Sequence, residues 1–190
     1  MTAGQDRARR GRWRPLRARA AVAATLTVLT LTGCTAGYGA PVAPSPMSVS
    51  SEAFISGMLA QRYTCYGAKI NPPLNWSGAP PGTKSLAVIV DDSSAPITPS
   101  IYWLVFDIPP GATDIQEGSL PTGARQALNS AGTATYDAPC PAGRRHAYRF
   151  TVYALSKWLT LSNGSPLLAA WTAIAAATIG RGRITVAASP

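Results

Sequence analysis

Two apolar segments near the middle of the chain constrain its fold more than any other feature. Residues 85–91 (SLAVIVD) form an unbroken β-branched and apolar run, and residues 101–108 (IYWLVFDI) form a second run that stops at Pro109-Pro110. Runs of this length and composition are typical of strands, and proline does not continue such a strand. The two runs therefore predict two strands, and the first is expected to be buried on both faces.

Three further segments complete the predicted elements. Residues 147–155 (AYRFTVYAL) alternate between apolar and polar side chains, which predicts a strand with one buried face and one partly wet face. Residues 183–187 (RITVA) predict a short final strand. Residues 166–179 (PLLAAWTAIAAATI) begin with proline and end before Gly180, which is typical of a helix, and their low polar content indicates that much of the helix surface is covered. We therefore predict a mostly β domain with one late helix.

Long loops occupy the remaining segments of the domain, at residues 71–83, 92–100 and 109–146. Loops of this length inside a compact domain usually carry function. We expect them to form binding loops around one rim of the β structure.

The N-terminal region has the layout of a bacterial lipoprotein signal. Residues 1–19 carry seven arginines, and residues 20–33 (AAVAATLTVLTLTG) form an uncharged, apolar run. A positive region before a short apolar run is typical of a secretory signal, and fourteen residues are too few to span a bilayer comfortably as a permanent helix. Leu31-Thr32-Gly33-Cys34 resembles the lipobox, which implies cleavage before Cys34 and a palmitate-type diacylglyceryl anchor on its sulfur. The alternatives are an ordinary membrane anchor and a signal without lipid.

These features predict three regions: a lipoprotein signal peptide at residues 1–33, a flexible tether at 34–51 and a folded domain at 52–190. The tether is rich in Ala, Gly, Pro and Ser, a composition that cannot bury enough apolar surface to fold. We expect the protein at the extracytoplasmic face of a bacterial cell membrane, held there by the lipid on Cys34.

The net charge of +9 does not indicate a nucleic-acid partner. Residues 1–19 account for +6 of this charge, and the chain from Cys34 onward carries only +3. A nucleic-acid binder needs clustered basic side chains that neutralise phosphates, and the domain sequence shows no such cluster. We therefore expect no nucleic-acid partner.

Five stretches of the domain occur in the order and spacing of one known family. They are NPPLNW at 71–76, PGTKSLA at 81–87, VDD and AP within 90–96, YWLVFDIP at 102–109, and the segment from Tyr136 to Leu155. On these motifs the chain resembles the phosphatidylethanolamine-binding protein family, in its bacterial Raf-kinase-inhibitor-like branch, over roughly residues 60–187. The resemblance implies a mostly β, sandwich-like fold with a large central sheet packed on a smaller sheet. It also implies a pocket for a small anion or a phosphorylated head group, in proteins described as lipid binders, as protease or kinase inhibitors or as signalling modulators rather than as established enzymes.

The family's pocket motifs transfer to this chain only in part. The family's DPDAP segment corresponds to DSSAP at 92–96 in this chain, and the family's histidine before a tryptophan corresponds to a tyrosine. The family's GPxPPxGxHxY loop corresponds to residues 138–148, where one glycine and one proline are replaced by alanine. The positions that depart from the family pattern are Ser94, Tyr102, Ala138 and Ala142. Whether the pocket keeps the family's ligand is therefore open. The candidate ligand-binding residues that the resemblance implies are Asp92, Tyr102, Tyr136, Pro139, His146 and Tyr148.

His146 and the candidate tyrosines can all donate hydrogen bonds to an anion, as such a site requires. His146 is the single histidine of the chain, and its other interpretation is a structural histidine. Asp92 either orients His146 or satisfies amide groups of its own turn, and the sequence leaves both roles open. Arg144 and Arg145 either attract phosphate or are solvated loop charges.

Cys65 and Cys140 remain as a pair once Cys34 is lipidated. An even pair in an oxidising compartment favours a disulfide, and the alternative is two buried free thiols. A Cys140–His146 nucleophilic pair is the enzyme alternative, although a disulfide would remove its thiol. One histidine and two cysteines are too few ligands for a metal site, so no metal or other cofactor is expected.

Three hypotheses about function follow from these residues. The leading one is a non-enzymatic, membrane-anchored binding protein for a small anion or a phospholipid head group. The second is an inhibitor or modulator of an extracytoplasmic protease or other hydrolase, and the third is a cysteine-dependent hydrolase. The sequence leaves the ligand and the oligomeric state open.

Overall fold

The structure, a computed structural model, describes residues 43–94 and 99–190. These residues form short and long strands, one single-turn 3₁₀ helix at Gln61–Tyr63 and one α-helix. In chain order the elements are β1 (Ser45–Pro46), β2 (Ser48–Ser50), β3 (Phe54–Ile55), β4 (Met58–Leu59), β5 (Leu74–Ser77), β6 (Ser85–Asp92), β7 (Ile101–Ile108), β8 (Asp114–Ile115), β9 (Arg125–Gln126), β10 (His146–Leu155), α1 (Leu167–Ala177) and β11 (Thr178–Ala188).

A large sheet and a small sheet form the framework. The large sheet has the order β3-β4-β11-β10-β6-β7-β9, with β1 alongside β11, and the small sheet has the order β2-β5-β8. The long strands β11, β10, β6 and β7 pair antiparallel with one another, whereas β11 is parallel to its other neighbours, β1 and β4. This arrangement confirms the expected mostly β architecture with a large sheet packed on a smaller one.

Two apolar clusters cover the two faces of the large sheet. On one face, Tyr148, Phe150 and Val152 pack with residues of the small sheet, including Leu74 and Trp76. On the other face, the helix residues Ala170, Ile174 and Ala177 pack on Ala87, Leu104 and Leu155. We call the first side of the sheet the small-sheet face and the second side the α1 face.

The central strands follow the sequence prediction. All eight residues of β6 are buried, because this strand has long strands on both sides and an apolar cluster on each face. In β10 the side chains alternate: Phe150 belongs to the cluster on the small-sheet face, while Tyr153 packs on the α1 face. The predicted strands at 85–91, 101–108 and 147–155 and the predicted helix are therefore confirmed. The expectation that much of the helix surface is covered was wrong, because only Ala170, Ile174 and Ala177 of α1 are buried.

The final strand is longer than the sequence predicted. The short strand expected at 183–187 begins at Thr178, directly after α1, and the glycines that looked like a break lie inside it. A Cβ atom on Gly182 would lie 2.6 Å from the carbonyl oxygen of Met47, and one on Gly180 would lie 2.7 Å from Pro80. These glycines thus let other segments approach the sheet closely, which is a common use of glycine in strands.

Part of the predicted tether belongs to the fold. β1 pairs with β11 and β2 pairs with β5, so residues 45–50 are paired in the two sheets although the sequence placed them in a tether ending at residue 51. The predicted loops at 71–83 and 109–146 also contain the short strands β5, β8 and β9. The predicted signal peptide at 1–33 and the candidate lipidation site Cys34 lie outside the described residues.

Candidate functional site

The candidate site lies at one end of the three central strands of the large sheet. β6 ends there at Asp92, and its antiparallel neighbours β7 and β10 begin there, at Ile101 and His146. Tyr148 is the direct cross-strand partner of Asp92. Three of the candidate residues, Asp92, His146 and Tyr148, are therefore brought together by strand pairing alone.

A β-bulge brings the fourth candidate, Tyr102, to the same face. Val90 pairs with Trp103 and Asp91 pairs with Ile101, so Tyr102 has no direct partner on β6. Because a bulge interrupts the alternation of side chains, Tyr102 and Trp103 both pack on the cluster of the small-sheet face. The ring of Tyr102 meets that of Tyr148 edge-on, with 5.4 Å between the ring centroids.

Asp92 performs both of the roles that the sequence left open. Its Oδ2 lies 2.7 Å from Nδ1 of His146, and its Oδ1 accepts a hydrogen bond of 2.7 Å from the backbone N–H of Ser94. A carboxylate only accepts, so Nδ1 carries the proton in this contact. The side chains of Asp92 and His146 are 7% and 20% exposed, which leaves the imidazole accessible while its carboxylate partner is nearly buried.

Tyr148 contributes a hydroxyl group for which the described part of the chain offers no hydrogen-bond partner. Its side chain is fully buried, and its hydroxyl makes no hydrogen bond to the described residues. Burial is the main cause that raises the pKa of Tyr148, and burial followed by the charge of Asp92 raises the pKa of Tyr102. Both phenols therefore remain protonated at neutral pH and are able to donate hydrogen bonds.

The hydroxyl of Tyr136 is bound within the protein. Its hydroxyl donates a hydrogen bond of 2.9 Å to the carbonyl oxygen of Tyr63, and its ring meets Trp103 edge-on at 5.6 Å. Burial also raises the pKa of Tyr136. The hydroxyl of Tyr136 therefore holds the start of the 138–146 loop against the segment around residue 63.

The same segment fixes the middle of this loop. Cys65 and Cys140 form a disulfide, with 5.1 Å between their Cα atoms. The backbone N–H of Cys65 donates to the carbonyl oxygen of Pro139, and the hydroxyl of Tyr66 donates to that of Pro141, both at 3.0 Å. The predicted disulfide is therefore confirmed. The hypothesis of a Cys140 nucleophile is wrong, because its sulfur is already bonded.

A concavity of about 410 Å³ opens beside His146, between the start of β10 and the end of β11. Arg145 and Ser94 line it together with His146. Ser94, noted in the sequence only as a departure from the family pattern, accepts a hydrogen bond of 2.8 Å from the backbone N–H of Ala147. Of the two loop arginines, Arg145 borders this concavity. Ser94, in place of the family's aspartate, also leaves the concavity without a negative charge at that position.

The family of the chain follows from a comparison with family models. The model of the phosphatidylethanolamine-binding protein family matches residues 49–189. The chain belongs to this family.

The chain has relatives in this family in both bacteria and archaea. A UPF0098 protein of Methanothermobacter thermautotrophicus is 42% identical over 63% of this chain and 83% of its own length. The candidate lipoprotein LppC of Mycobacterium tuberculosis is 38% identical over 75% of this chain and 72% of its own length. The crystal structure of CT736, a homologue from Chlamydia trachomatis, superposes with a TM-score of 0.70 at 31% identity, over 77% of this chain and 99% of that one. Escherichia coli YbcL superposes with a TM-score of 0.69 at 29% identity, over 76% and 98%.

Within residues 43–94 and 99–190, no group of three or more His, Cys, Asp or Glu side chains is arranged to hold a metal ion. In the same residues, no helix has the length and apolar character needed to cross a membrane.

Proposed function

We propose that this chain is a membrane-anchored binding protein that holds a small anion or a phosphorylated head group and does not transform it chemically. The ligand's oxygens accept hydrogen bonds from the hydroxyls of Tyr148 and Tyr102, and from Nε2 of His146 when both ring nitrogens are protonated, while Asp92 orients the imidazole. Family membership supports a binding role. The finer features of this proposal rest on the geometry at the end of the sheet.

The observation that carries the proposal is the hydroxyl of Tyr148, which has no hydrogen-bond partner within residues 43–94 and 99–190. Buried polar groups in proteins almost always have a hydrogen-bond partner, because an unmade hydrogen bond costs about 1–3 kcal/mol. The Tyr148 hydroxyl is fully buried beside an accessible imidazole, which lies nearly parallel to its ring at 6.1 Å. A ligand oxygen at this point would satisfy the phenol.

The charges around the site suit an anion. His146 has its Nδ1 committed to Asp92, so the ring is held in one orientation and its other nitrogen is left for a ligand. Arg145 borders the adjoining concavity and adds a cationic guanidinium. Asp92 faces the imidazole and its own turn, where its charge is compensated by two donors.

The membrane anchor in this proposal is the lipid on Cys34. Its support is the arginine-rich region, the apolar run and the Leu31-Thr32-Gly33-Cys34 sequence, together with the description of LppC as a candidate lipoprotein. Replacement of Cys34 by serine in the expressing bacterium is expected to move the protein from the membrane fraction to the soluble fraction. Retention of the Cys34→Ser protein in the membrane fraction would contradict the lipid anchor.

The inhibitor hypothesis stays a prediction from the family resemblance, and no feature of the described residues favours it over ligand binding. Its test is the capture of an extracytoplasmic hydrolase by the anchored protein. Capture that is insensitive to substitutions in the 138–146 loop would count against it.

The binding proposal is tested by nuclear magnetic resonance. The purified domain is titrated with inorganic phosphate, acetate and glycerophosphoethanolamine while the imidazole signals of His146 are followed, which is unambiguous because the chain has a single histidine. We expect a saturable shift with at least one of these anions, and chloride at the same ionic strength is the control. The absence of any saturable shift, or an equal response to chloride, would overturn the proposal.

A further inference from the structure

The surface formed by α1 and by the segment before it is almost free of charge. Residues 156–180, which contain α1 and the segment before it, include a single charged residue, Lys157. Three large apolar side chains are exposed here: Leu168 at 75%, Trp171 at 38% and Trp158 at 49%. A helix on the surface of a globular protein normally presents charged and polar side chains to water. The outward side of α1 therefore lacks the composition of a surface that faces water.

The exposed apolar residues are not needed by the domain's own core. The buried side of α1 consists of Ala170, Ile174 and Ala177, which already pack on the large sheet. Leu168 and Trp171 instead border an apolar groove of about 360 Å³, whose other wall includes Ile101. The groove extends the exposed apolar surface from the helix towards the start of β7.

The polar rim of the α1 face is positively charged. Arg181 and Arg183 of β11 are exposed and pair across the strands with Tyr153 and Thr151, so all four side chains lie on the α1 face. Arg149, the next residue along β10 on this face, binds the buried Asp91 and neutralises it. The acidic residues that are accessible in the described part of the chain belong to other elements: Glu52, Asp114, Glu117 and Asp137.

The N-terminal chain enters beside this face. β1 runs parallel to β11, with Ser45 paired to Gly180, so the chain before Ser45 comes from the direction of Thr178, the first residue after α1. Cys34 lies nine residues before Ala43, the first residue that the structure describes. Nine residues span at most about 30 Å when fully extended. A lipid on Cys34 would therefore keep Ala43, two residues before β1, within about 30 Å of the bilayer.

From these four observations we propose that the outward side of α1 is a membrane-contact surface. Leu168, Trp171 and Trp158 enter the interfacial layer of the bilayer, and Arg181 and Arg183 contact the phosphates of anionic lipids. Tryptophan is favoured at this depth and arginine on the rim of such surfaces. The inference rests on the proposed lipid anchor for its geometry, and contact is peripheral because the eleven residues of α1 are too few to cross a bilayer.

Vesicle binding by the domain without its leader tests this surface. The crystallised chains of two relatives are covered over 99% and 98% of their length by this domain, so the family's domain folds without further segments. Residues 43–190 are mixed with vesicles of phosphatidylcholine containing phosphatidylglycerol, and the bound fraction is measured by sedimentation. We expect the double substitution Leu168→Ser and Trp171→Ser to lower the partition coefficient at least about tenfold, because each buried apolar side chain contributes strongly to binding.

Matched controls separate this surface from general stickiness. The substitutions Ile55→Ser and Leu120→Ser also remove two exposed apolar side chains, 68% and 37% exposed, from other elements, and they are expected to leave vesicle binding unchanged. Thermal unfolding of each variant verifies that it is folded. Quenching of tryptophan fluorescence by brominated phospholipids is expected in the wild-type domain and reduced in the Trp171→Phe and Trp158→Phe variants.

The contribution of Arg181 and Arg183 to vesicle binding is tested separately. Replacement of Arg181 and Arg183 by glutamine is expected to weaken binding to vesicles with phosphatidylglycerol and to have little effect on pure phosphatidylcholine, since the lost interaction is electrostatic. The proposal is overturned if the wild-type domain binds neither kind of vesicle, or if the Ile55 and Leu120 control loses as much binding as the Leu168 and Trp171 variant. It is also overturned if the domain is a dimer in solution that the Leu168 and Trp171 substitutions dissociate, because a second copy would then cover this surface.

The outcome is independent of the proposed function. The vesicle experiment uses a domain without Cys34, so failure of the lipid anchor in cells would not change it. The anion titration reports on His146, which lies at the end of the sheet and outside the membrane-contact surface. A failed vesicle experiment with a successful titration would thus reject the surface and keep the binding site.

Discussion

The Nδ1 atom of His146 lies 2.7 Å from a carboxylate oxygen of Asp92, across the neighbouring strands β10 and β6. This contact joins the first residue of one central strand to the last residue of another. It sets the direction of the single imidazole of the chain and thereby the side from which a ligand is bound.

We expect Asp92 and His146 to be energetically coupled through this contact. In a double-mutant cycle of Asp92→Ala and His146→Ala, the coupling in the free energy of unfolding should be about 1.5–3 kcal/mol, as for hydrogen bonds to charged groups in sheltered positions. Chemical denaturation measures it. The matched control is the cycle of Arg62 and Glu117, a surface ion pair whose side chains are 57% and 35% exposed and whose coupling should be smaller. Equal coupling in the two cycles would refute the structural importance of the His146–Asp92 contact.

The buried Tyr148 and the half-buried Tyr136 should respond in opposite ways to loss of their hydroxyl groups. Tyr148→Phe removes a hydroxyl that has no partner among the described residues, so stability should be unchanged or higher, while the Kd for a bound anion should rise about tenfold. Tyr136→Phe removes a hydrogen bond to Tyr63, so stability should fall by about 1 kcal/mol with little change in Kd. Denaturation and anion titration of both variants measure these effects. A fall in stability for Tyr148→Phe without any loss of affinity would contradict the proposed site.

The disulfide between Cys65 and Cys140 should contribute strongly to stability. The two cysteines are 75 residues apart, and loss of a cross-link over such a loop should lower the free energy of unfolding by about 4 kcal/mol in the chain-entropy model. The comparison is between the wild-type domain and the double variant Cys65→Ser and Cys140→Ser. Thiol titration of the unfolded wild-type domain before reduction should detect neither cysteine. Two reactive thiols there, or unchanged stability in the double variant, would show that the bond does not form in solution.

Gly182 should tolerate no side chain. A Cβ atom would meet the backbone of Met47 at 2.6 Å and the side chain of Val49 at 2.8 Å, so Gly182→Ala should destabilise the domain by about 1–3 kcal/mol through overpacking. Gly111 is the control, because a Cβ atom there has open space around it and its φ is not positive. Thermal or chemical unfolding of both alanine variants tests the difference. A Gly111→Ala variant as unstable as Gly182→Ala would show that close packing is not the cause.

Stability should also fall in alkaline solution. Burial raises the pKa of Tyr136 and Tyr148 above the ordinary value of 10.0, so both phenols stay neutral in the folded state where they ionise in the unfolded chain. The contribution of each is complete below pH 10 and is lost above it, at up to about 1.4 kcal/mol per pH unit for each phenol. Unfolding free energies measured from pH 8 to 11 should decline less steeply for Tyr136→Phe than for the wild-type domain. Identical slopes would refute this account.

The sequence by itself determined the central strands, the helix and the end of the sheet where the site lies. The apolar run at 85–91 and the alternation at 147–155 predict strands because the spacing of side chains along a strand is local. The Cys65–Cys140 pair followed from the number of cysteines and the expected compartment. His146 and Asp92 were singled out by residue type and by the family's motif order.

Only the tertiary structure decided how side chains at the site are arranged. A bulge between β6 and β7 turns Tyr102 onto the face of Tyr148, and Tyr136 binds the Tyr63 carbonyl 73 residues away in the chain. The strand β11 includes Gly180 because other segments pack against it, whereas the sequence alone indicated a helix end and a break. In each case the deciding contact comes from residues distant in sequence, so no local periodicity could have reported it. The exposed apolar side of α1 is the reverse case: its composition was plain in the sequence, and the fold showed which part of it the core does not cover.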